Sequence, residues 1–207
     1  YVAWSGPEGI VFDKSIDGGN TWLDEDIFIN SQPGGWDYNI SGIYRANGLP
    51  ITCCDISNSP NRGTIYVNWT DQRNGEDDTD VWLAKSTDGG NTWSDAIRVN
   101  DDHIDKQQFF SWMTIDQKTG ELLFVFYDRR HYDDTQTDVY MARSSDGGET
   151  FENIRISDSP FLPNSNVFFG DYTNITAYNG IVRPIWARAD GMNMSIWTAI
   201  VDPTTGF

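Results

Sequence analysis

The sequence is short of basic residues, cysteines and long apolar stretches, and each shortage excludes a class of protein. Only 14 Lys and Arg residues accompany 31 Asp and Glu residues, so the formal charge is −17. Phosphates would be repelled, and we expect no nucleic acid partner. No run approaches the roughly 20 apolar residues of a membrane helix, so we expect no membrane insertion. Two cysteines in 207 residues exclude a disulfide scaffold.

Those cysteines, Cys53 and Cys54, are adjacent, and on a strand they would point to opposite faces. They are interpreted either as small buried hydrophobic residues or as a redox or metal pair. A metal site would need further ligands, and the sequence has no other cysteine and only two histidines, His103 and His131. We therefore predict no metal site and no cofactor, with calcium as the one alternative considered below.

The chain contains an internal repeat. Three segments share the pattern Ser-x-Asp-x-Gly-x-Thr-aromatic, and each follows a short run of alternating β-branched and aromatic residues. Such a run ending in Asp-Gly-Gly is typical of a strand that enters a hairpin turn. The repeated positions are Ser15, Asp17, Gly19, Thr21 and Trp22; Ser86, Asp88, Gly90, Thr92 and Trp93; and Ser144, Asp146, Gly148, Thr150 and Phe151.

Each repeat predicts four short antiparallel strands, and no helical period of useful length is present. Repeated four-stranded units are typical of a β-propeller, because radial packing leaves only short sheet edges. We predict an all-β propeller with about three and a half blades, at about 1–31, 49–101, 109–158 and 167–207. A closed ring needs more blades, so we expect the rest of the propeller to come from the same longer protein or from another chain.

The repeated Asp has a structural interpretation. Glycines allow positive φ in the turn, and the carboxylate can accept backbone N–H bonds there. The aromatic residue then covers the turn. We predict that the fifteen motif residues support folding and do not form a catalytic or metal cluster.

These motifs resemble the Asp-box, or BNR-repeat, family typified by sialidases, and the resemblance extends over essentially the whole chain. It implies a six- or seven-bladed propeller whose Asp boxes lie on the side away from the ligand funnel. A degenerate fourth copy is predicted at 197–207, where the Ser is missing.

Candidate binding residues follow the second strand of three units, in Trp69-Thr-Asp-Gln-Arg73, Phe126-Tyr-Asp-Arg-Arg130 and Trp186-Ala-Arg-Ala-Asp190. Sialidases resemble this in using three arginines from different blades against a substrate carboxylate. The candidates are Arg73, Arg130 and Arg188, with Arg129 as a substitute, together with Asp71, Asp128 and Asp171. The alternative is that Asp71–Arg73 and Asp128–Arg130 are local ion pairs, and that Asp171 caps a turn beside Gly170.

Two acidic loops follow these strand ends, at 74–80 and 131–138. Carboxylates at this density could hold calcium, although they lack the spacing of an EF-hand loop. Solvated acidic hairpins are the alternative.

Two classes of function follow. One is a sialidase-like glycoside hydrolase whose remaining catalytic residues lie outside this segment, since no Tyr/Glu nucleophile pair is found. The other is a non-catalytic propeller for glycan binding, adhesion or assembly. If the protein is a hydrolase, we expect its arginines to converge on one funnel. If it is a binding protein, we expect arginines that are paired locally or a funnel filled with aromatic residues. An extracellular or cell-surface location and a glycan partner are expected for both.

Overall fold

The computed structural model describes residues 1–103 and 105–201. This part of the chain contains strands and turns but no helix, and so no helix that could span a membrane. Its strands form four main antiparallel sheets that follow one another along the chain, and one short hairpin.

The first sheet contains β1 (Val2–Gly6), β2 (Gly9–Asp13) and β3 (Ile27–Asn30). The hairpin contains β4 (Asp37–Tyr38) and β5 (Ala46–Asn47). The second sheet contains β6 (Ile51–Cys54), β7 (Ile65–Asp71), β8 (Asp80–Ser86) and β9 (Ile97–Arg98). The third contains β10 (Gln108–Ile115), β11 (Leu122–Asp128), β12 (Asp138–Ser144) and β13 (Glu152–Arg155). The fourth contains β14 (Asn174–Tyr178), β15 (Ile181–Asp190) and β16 (Asn193–Thr198).

Neighbouring sheets pack face to face in chain order. Phe12 of the first sheet shares a core cluster with Trp69 of the second, and Leu83 of the second shares one with Phe124 of the third. Tyr127 of the third sheet shares a core with the fourth and donates a 2.8 Å hydrogen bond to the carbonyl of Ala187. The prediction of an all-β propeller built from antiparallel blades is confirmed.

Burial along the strands follows from this packing. All seven residues of β7 and all seven of β11 are buried, because both faces of a central blade are covered. The outward face of the first sheet is open: Trp4 is 37% exposed, whereas Trp69 at the corresponding position of the second sheet is fully buried. The fourth sheet likewise exposes Ile196, while the corresponding Val139 of the third sheet is fully buried.

Some local features were not predicted from the sequence. The hairpin of β4 and β5 lies in a long connection, and Tyr38 and Ala46 pack into the core shared by the third and fourth sheets. Strand β10 contains a bulge between Phe109 and Trp112, where Phe110 has a φ of 51° and interrupts the alternation. Of the degenerate repeat at 197–207, residues 202–207 lie outside the described residues.

Cys53 and Cys54 are unpaired and half-buried. They point to opposite faces of the second sheet, since Cys53 packs with the third sheet's core and Cys54 with that of the first. Burial raises the pKa of Cys53 to about 11.

The connections divide into two groups at opposite edges of the blades. One edge, which we call the loop face, carries the segments at 31–50, 72–79, 99–103 with 105–107, 129–137 and 156–173. The three Ser-x-Asp turns lie at the other edge, which we call the Asp-turn face, since antiparallel strands alternate in direction.

Candidate functional site

The three Asp turns have the same internal hydrogen bonds. In the first, the backbone N–H and the hydroxyl of Thr21 donate to the Asp17 carboxylate at 2.9 and 2.8 Å, and Ser15 donates to it at 2.8 Å. Asp88 and Asp146 accept the same bonds from their own Ser and Thr. These donors hold the pKa of Asp17 at about 2.

The Asp turns also connect neighbouring blades. Lys14 Nζ donates a 2.8 Å bond to the carbonyl of Gly89 in the next turn, and Lys85 Nζ donates a 2.9 Å bond to that of Gly147. Trp93 meets the ring of Phe12 edge-on at 5.0 Å. The other two turn aromatics differ: Phe151 lies against Phe124 of its own sheet, and Trp22 is 44% exposed.

The first candidate arginine, Arg73, is paired with Asp71. Its Nε and Nη2 lie 2.9 and 2.6 Å from the two carboxylate oxygens of Asp71, which is fully buried. The guanidinium stacks 4.1 Å from the ring of Trp82, and its Nη2 also donates to Asn30 of the first sheet.

The second candidate, Arg130, has the same arrangement one blade further on. It binds the fully buried Asp128 at 2.7 Å and Asp101 at 2.5 Å. Its guanidinium stacks 4.1 Å from the ring of Tyr140, which lies directly across the sheet from Phe126.

In the third candidate pair the arginine precedes the aspartate in the sequence, whereas in the other two it follows. Arg188 lies 3.0 Å from Asp190, donates to the carbonyl of Ser159, and has the ring of Trp197 at 5.0 Å. Each of the three arginines thus binds a carboxylate two residues away in its own sheet, and their role in substrate binding stays a prediction.

Arg129 differs from these three, because it has no carboxylate partner among the described residues. Only 3% of it is exposed, its Nη1 donates to Gln107 at 2.7 Å and its Nε to Thr137 at 3.1 Å. Nη2 has no hydrogen-bond partner in the described chain. Burial lowers the pKa of Arg129 to about 10.

Arg129 and Gln107 line a cleft of about 270 Å³ on the loop face, which we call the Arg129 cleft. Half-buried Lys106, Tyr132 and Thr135 also line it. Four exposed aspartates stand at its rim: Asp77, Asp105, Asp133 and Asp134. The cleft therefore combines an acidic, solvated rim with one buried positive charge.

Asp171 takes part in a contact that the sequence did not indicate. Both of its carboxylate oxygens accept bonds from Arg45, at 2.7 and 2.6 Å, across 126 residues of chain. This pair lines a second loop-face cleft of about 230 Å³, together with Trp36, Asn47 and Tyr172. Because Arg45 lies in a long connection without a repeat, no sequence signal marked it.

Some acids of the two acidic loops are bonded to neighbouring side chains, whereas Oδ1 of buried Asp78 has no hydrogen-bond partner in the described chain. Asp80 accepts 2.6 Å bonds from Asn74 and Asn100, and Asp133 lies 2.9 Å from Lys106 Nζ. Among the described residues, no group of three His, Cys, Asp or Glu side chains is arranged to hold a metal ion. Calcium binding stays a prediction that no geometry of the described loops supports.

Searches with the sequence return neither a matching family model nor a matching curated protein. Solved structures do match. The α-L-arabinofuranosidase Arb93A from Fusarium graminearum has a TM-score of 0.57 at 15% identity, and the match covers 97% of this chain and 55% of that one. The Hadza microbial sialidase Hz136 has a TM-score of 0.54 at 19% identity, covering 92% and 38%.

A protein of unknown function from Dyadobacter fermentans matches with a TM-score of 0.54 at 18% identity, covering 93% of this chain and 48% of that one. The chain thus spans between 38% and 55% of the length of these three proteins. At such low identities the similarity establishes architecture alone. The chain has the propeller fold that is also found in an arabinofuranosidase and a sialidase.

Proposed function

We propose that the chain is a glycan-recognising part of a sialidase-like propeller, and that Arg129 contacts an acidic group of the glycan. One observation carries the proposal: Arg129 is a buried cation without a carboxylate partner in the described chain, and it lines a cleft on the loop face. Burying a charge without a counter-charge costs free energy, so such groups concentrate at functional sites.

The neighbouring blades indicate that folding does not require this charge. Gln72 occupies the same position in the second blade, between Asp71 and Arg73, and its amide lies 3.4 Å from Thr79 just as Arg129 binds Thr137. The fourth blade has Ala189 at this place, between Arg188 and Asp190. Since an amide and a methyl group both serve there, the propeller framework itself does not call for a guanidinium at this position.

The acidic rim does not cancel this attraction. At 4 Å, two unit charges interact by about 1 kcal/mol in water but by about 4 kcal/mol at the lower effective dielectric near buried groups. Asp77, Asp105, Asp133 and Asp134 are exposed and screened by solvent, whereas Arg129 is buried. A small polar ligand with one carboxylate or sulfate, such as an acidic sugar, fits this distribution of charge.

The similar structures support a glycan as the ligand, because an arabinofuranosidase and a sialidase are both glycan-acting enzymes. Sialidase activity is the catalytic form of the proposal, and the non-catalytic alternative is glycan binding. The local pairing of Arg73, Arg130 and Arg188 favours the binding alternative, since none of the three is left without a carboxylate. We propose an extracellular or cell-surface location for either form.

The test compares the chain with its Arg129→Gln variant, which copies the second blade. Calorimetric titration with N-acetylneuraminic acid and with glucuronic acid should give binding that the variant loses. The matched control is Lys118→Gln, which removes one exposed positive charge from the turn between β10 and β11, on the Asp-turn face. Equal binding by wild type and Arg129→Gln would refute the role of Arg129.

Catalysis is measured separately, with a fluorogenic sialoside. Turnover that Arg129→Gln abolishes would support the hydrolase form. Acid-sugar binding without turnover would support the binding form.

A further inference from the structure

The second cleft of the loop face has a different chemistry from the Arg129 cleft, and the two share no lining residue. It lies between the hairpin of β4 and β5 and the segment that precedes β14. Trp36 and Arg45 come from the hairpin side, and Asp171 and Tyr172 from the other. We call it the Trp36 cleft.

Two large aromatic side chains stand open to solvent in this cleft. Trp36 is 51% exposed and Tyr172 is 62% exposed. Trp112 meets the ring of Tyr172 edge-on at 6.2 Å, which holds that ring in place. An exposed aromatic ring offers an apolar surface of low conformational entropy, and such rings are enriched where a partner packs.

Arg45 and Asp171 form a charge-compensated pair between the rings, and the exposed Asp37 also lines the cleft. Arg45 uses its Nε and Nη2 on Asp171, and Asn47 Nδ2 donates to the Asp171 carbonyl at 3.1 Å. A guanidinium carries five N–H groups and a carboxylate about four acceptor sites, so both retain capacity for further bonds. Because the two charges compensate each other, the pair suits hydroxyl groups better than an ion.

We infer that the Trp36 cleft binds one uncharged sugar ring, with the ring face on Trp36 or Tyr172 and its hydroxyls on Arg45 and Asp171. Its volume of about 230 Å³ lies below the roughly 300–1,000 Å³ of pockets for drug-sized ligands, which fits a single ring. The inference rests on the proposed function, since it adds a neutral sugar site to a glycan-recognising chain.

The experiment titrates the 207-residue chain with uncharged hexasaccharides (maltohexaose, cellohexaose and xylohexaose), followed by calorimetry and tryptophan fluorescence. Trp36→Ala and Tyr172→Ala should each weaken binding of the preferred hexasaccharide roughly three- to tenfold, the range that corresponds to one aromatic contact. The control is Tyr178→Ala, which removes a tyrosine that is also 62% exposed but lies in β14 outside the cleft. Thermal unfolding followed by circular dichroism confirms that the variants are folded.

Wild-type affinity in both cleft variants would overturn the inference, as would a chain that binds none of the three hexasaccharides. A chain that binds the acidic monosaccharides but no hexasaccharide overturns this inference alone. A chain that binds a hexasaccharide through Trp36 but ignores the acidic sugars supports the inference and refutes the role proposed for Arg129.

Discussion

The ring of Phe12 lies directly against Gly90, and this contact joins the first blade to the Asp turn of the second. A β-carbon at Gly90 would stand 2.2 Å from Cε1 of Phe12. The next interface repeats the arrangement, because a β-carbon at Gly148 would stand 2.7 Å from Leu83. The second glycine of the turn therefore serves the contact between blades as well as the turn itself.

We expect Gly90→Ala to lower the free energy of unfolding by about 3 kcal/mol, the sum of a positive-φ cost near 1 kcal/mol and an overpacking cost near 2 kcal/mol. Gly19→Ala is the matched control: its φ of 91° resembles the 84° of Gly90, but no atom lies within 4 Å of its added β-carbon. Urea unfolding of both variants isolates the packing cost. Equal losses in the two variants would show that Phe12 adapts to the new methyl group.

The Asp turns predict a loss of stability in acid. The pKa of Asp17 is lowered to about 2 from 3.8, and those of Asp88 and Asp146 are lowered as well. A carboxylate with a depressed folded-state pKa stabilises the fold above its unfolded pKa and ceases to do so as the pH falls through the folded value. Stability should therefore decline as the pH falls from about 4 to about 2.

The variant that carries Asp17→Asn, Asp88→Asn and Asp146→Asn should show a shallower decline over that range. Chemical unfolding at several pH values measures the slope, and Asp26→Asn, outside the turns, is the control. An unchanged slope in the triple variant would show that other carboxylates dominate acid unfolding.

Arg130 should be a strong determinant of stability, whatever its part in binding. Removing it leaves Asp128 as a fully buried carboxylate without its partner, a change that costs about 3–5 kcal/mol. We expect Arg130→Ala to show this loss in urea unfolding, and Arg188→Ala to lose much less, because its partner Asp190 is 56% exposed in its side chain. A small loss in Arg130→Ala would indicate that water reaches Asp128.

The repeat predicted the all-β antiparallel fold, and the bonds inside an Asp turn are local, since they join residues within five positions of one another. Asp88 with Thr92 is an example. Contacts between distant segments could not be predicted in this way. The Arg45–Asp171 pair spans 126 residues, and the β4–β5 hairpin depends on the packing of Tyr38 against a core formed by other sheets.

The neighbouring arginines show the same limit at the candidate site. Arg129 and Arg130 are adjacent in sequence, and the motif suggested a local pair of Asp128 with Arg130 but gave no sign that Arg129 would be buried without a carboxylate partner among the described residues. The structure separates them because the backbone turns after β11, which places Arg130 over Tyr140 and Arg129 beside Gln107.

These two neighbours should respond oppositely to the same substitution. Arg129→Gln removes a buried cation whose Nη2 has no partner in the described chain, and leaves an amide that can bind Thr137 as Gln72 binds Thr79. We expect the free energy of unfolding to rise by about 1 kcal/mol, since an unsatisfied buried group costs about that much. Arg130→Gln should lower it, because Asp128 loses its counter-charge. Urea unfolding of both variants at pH 7 measures the contrast. A gain in stability together with a loss of acidic-sugar binding is the pattern expected of a residue kept for function. A loss of stability in Arg129→Gln would instead assign Arg129 to the framework of the third blade.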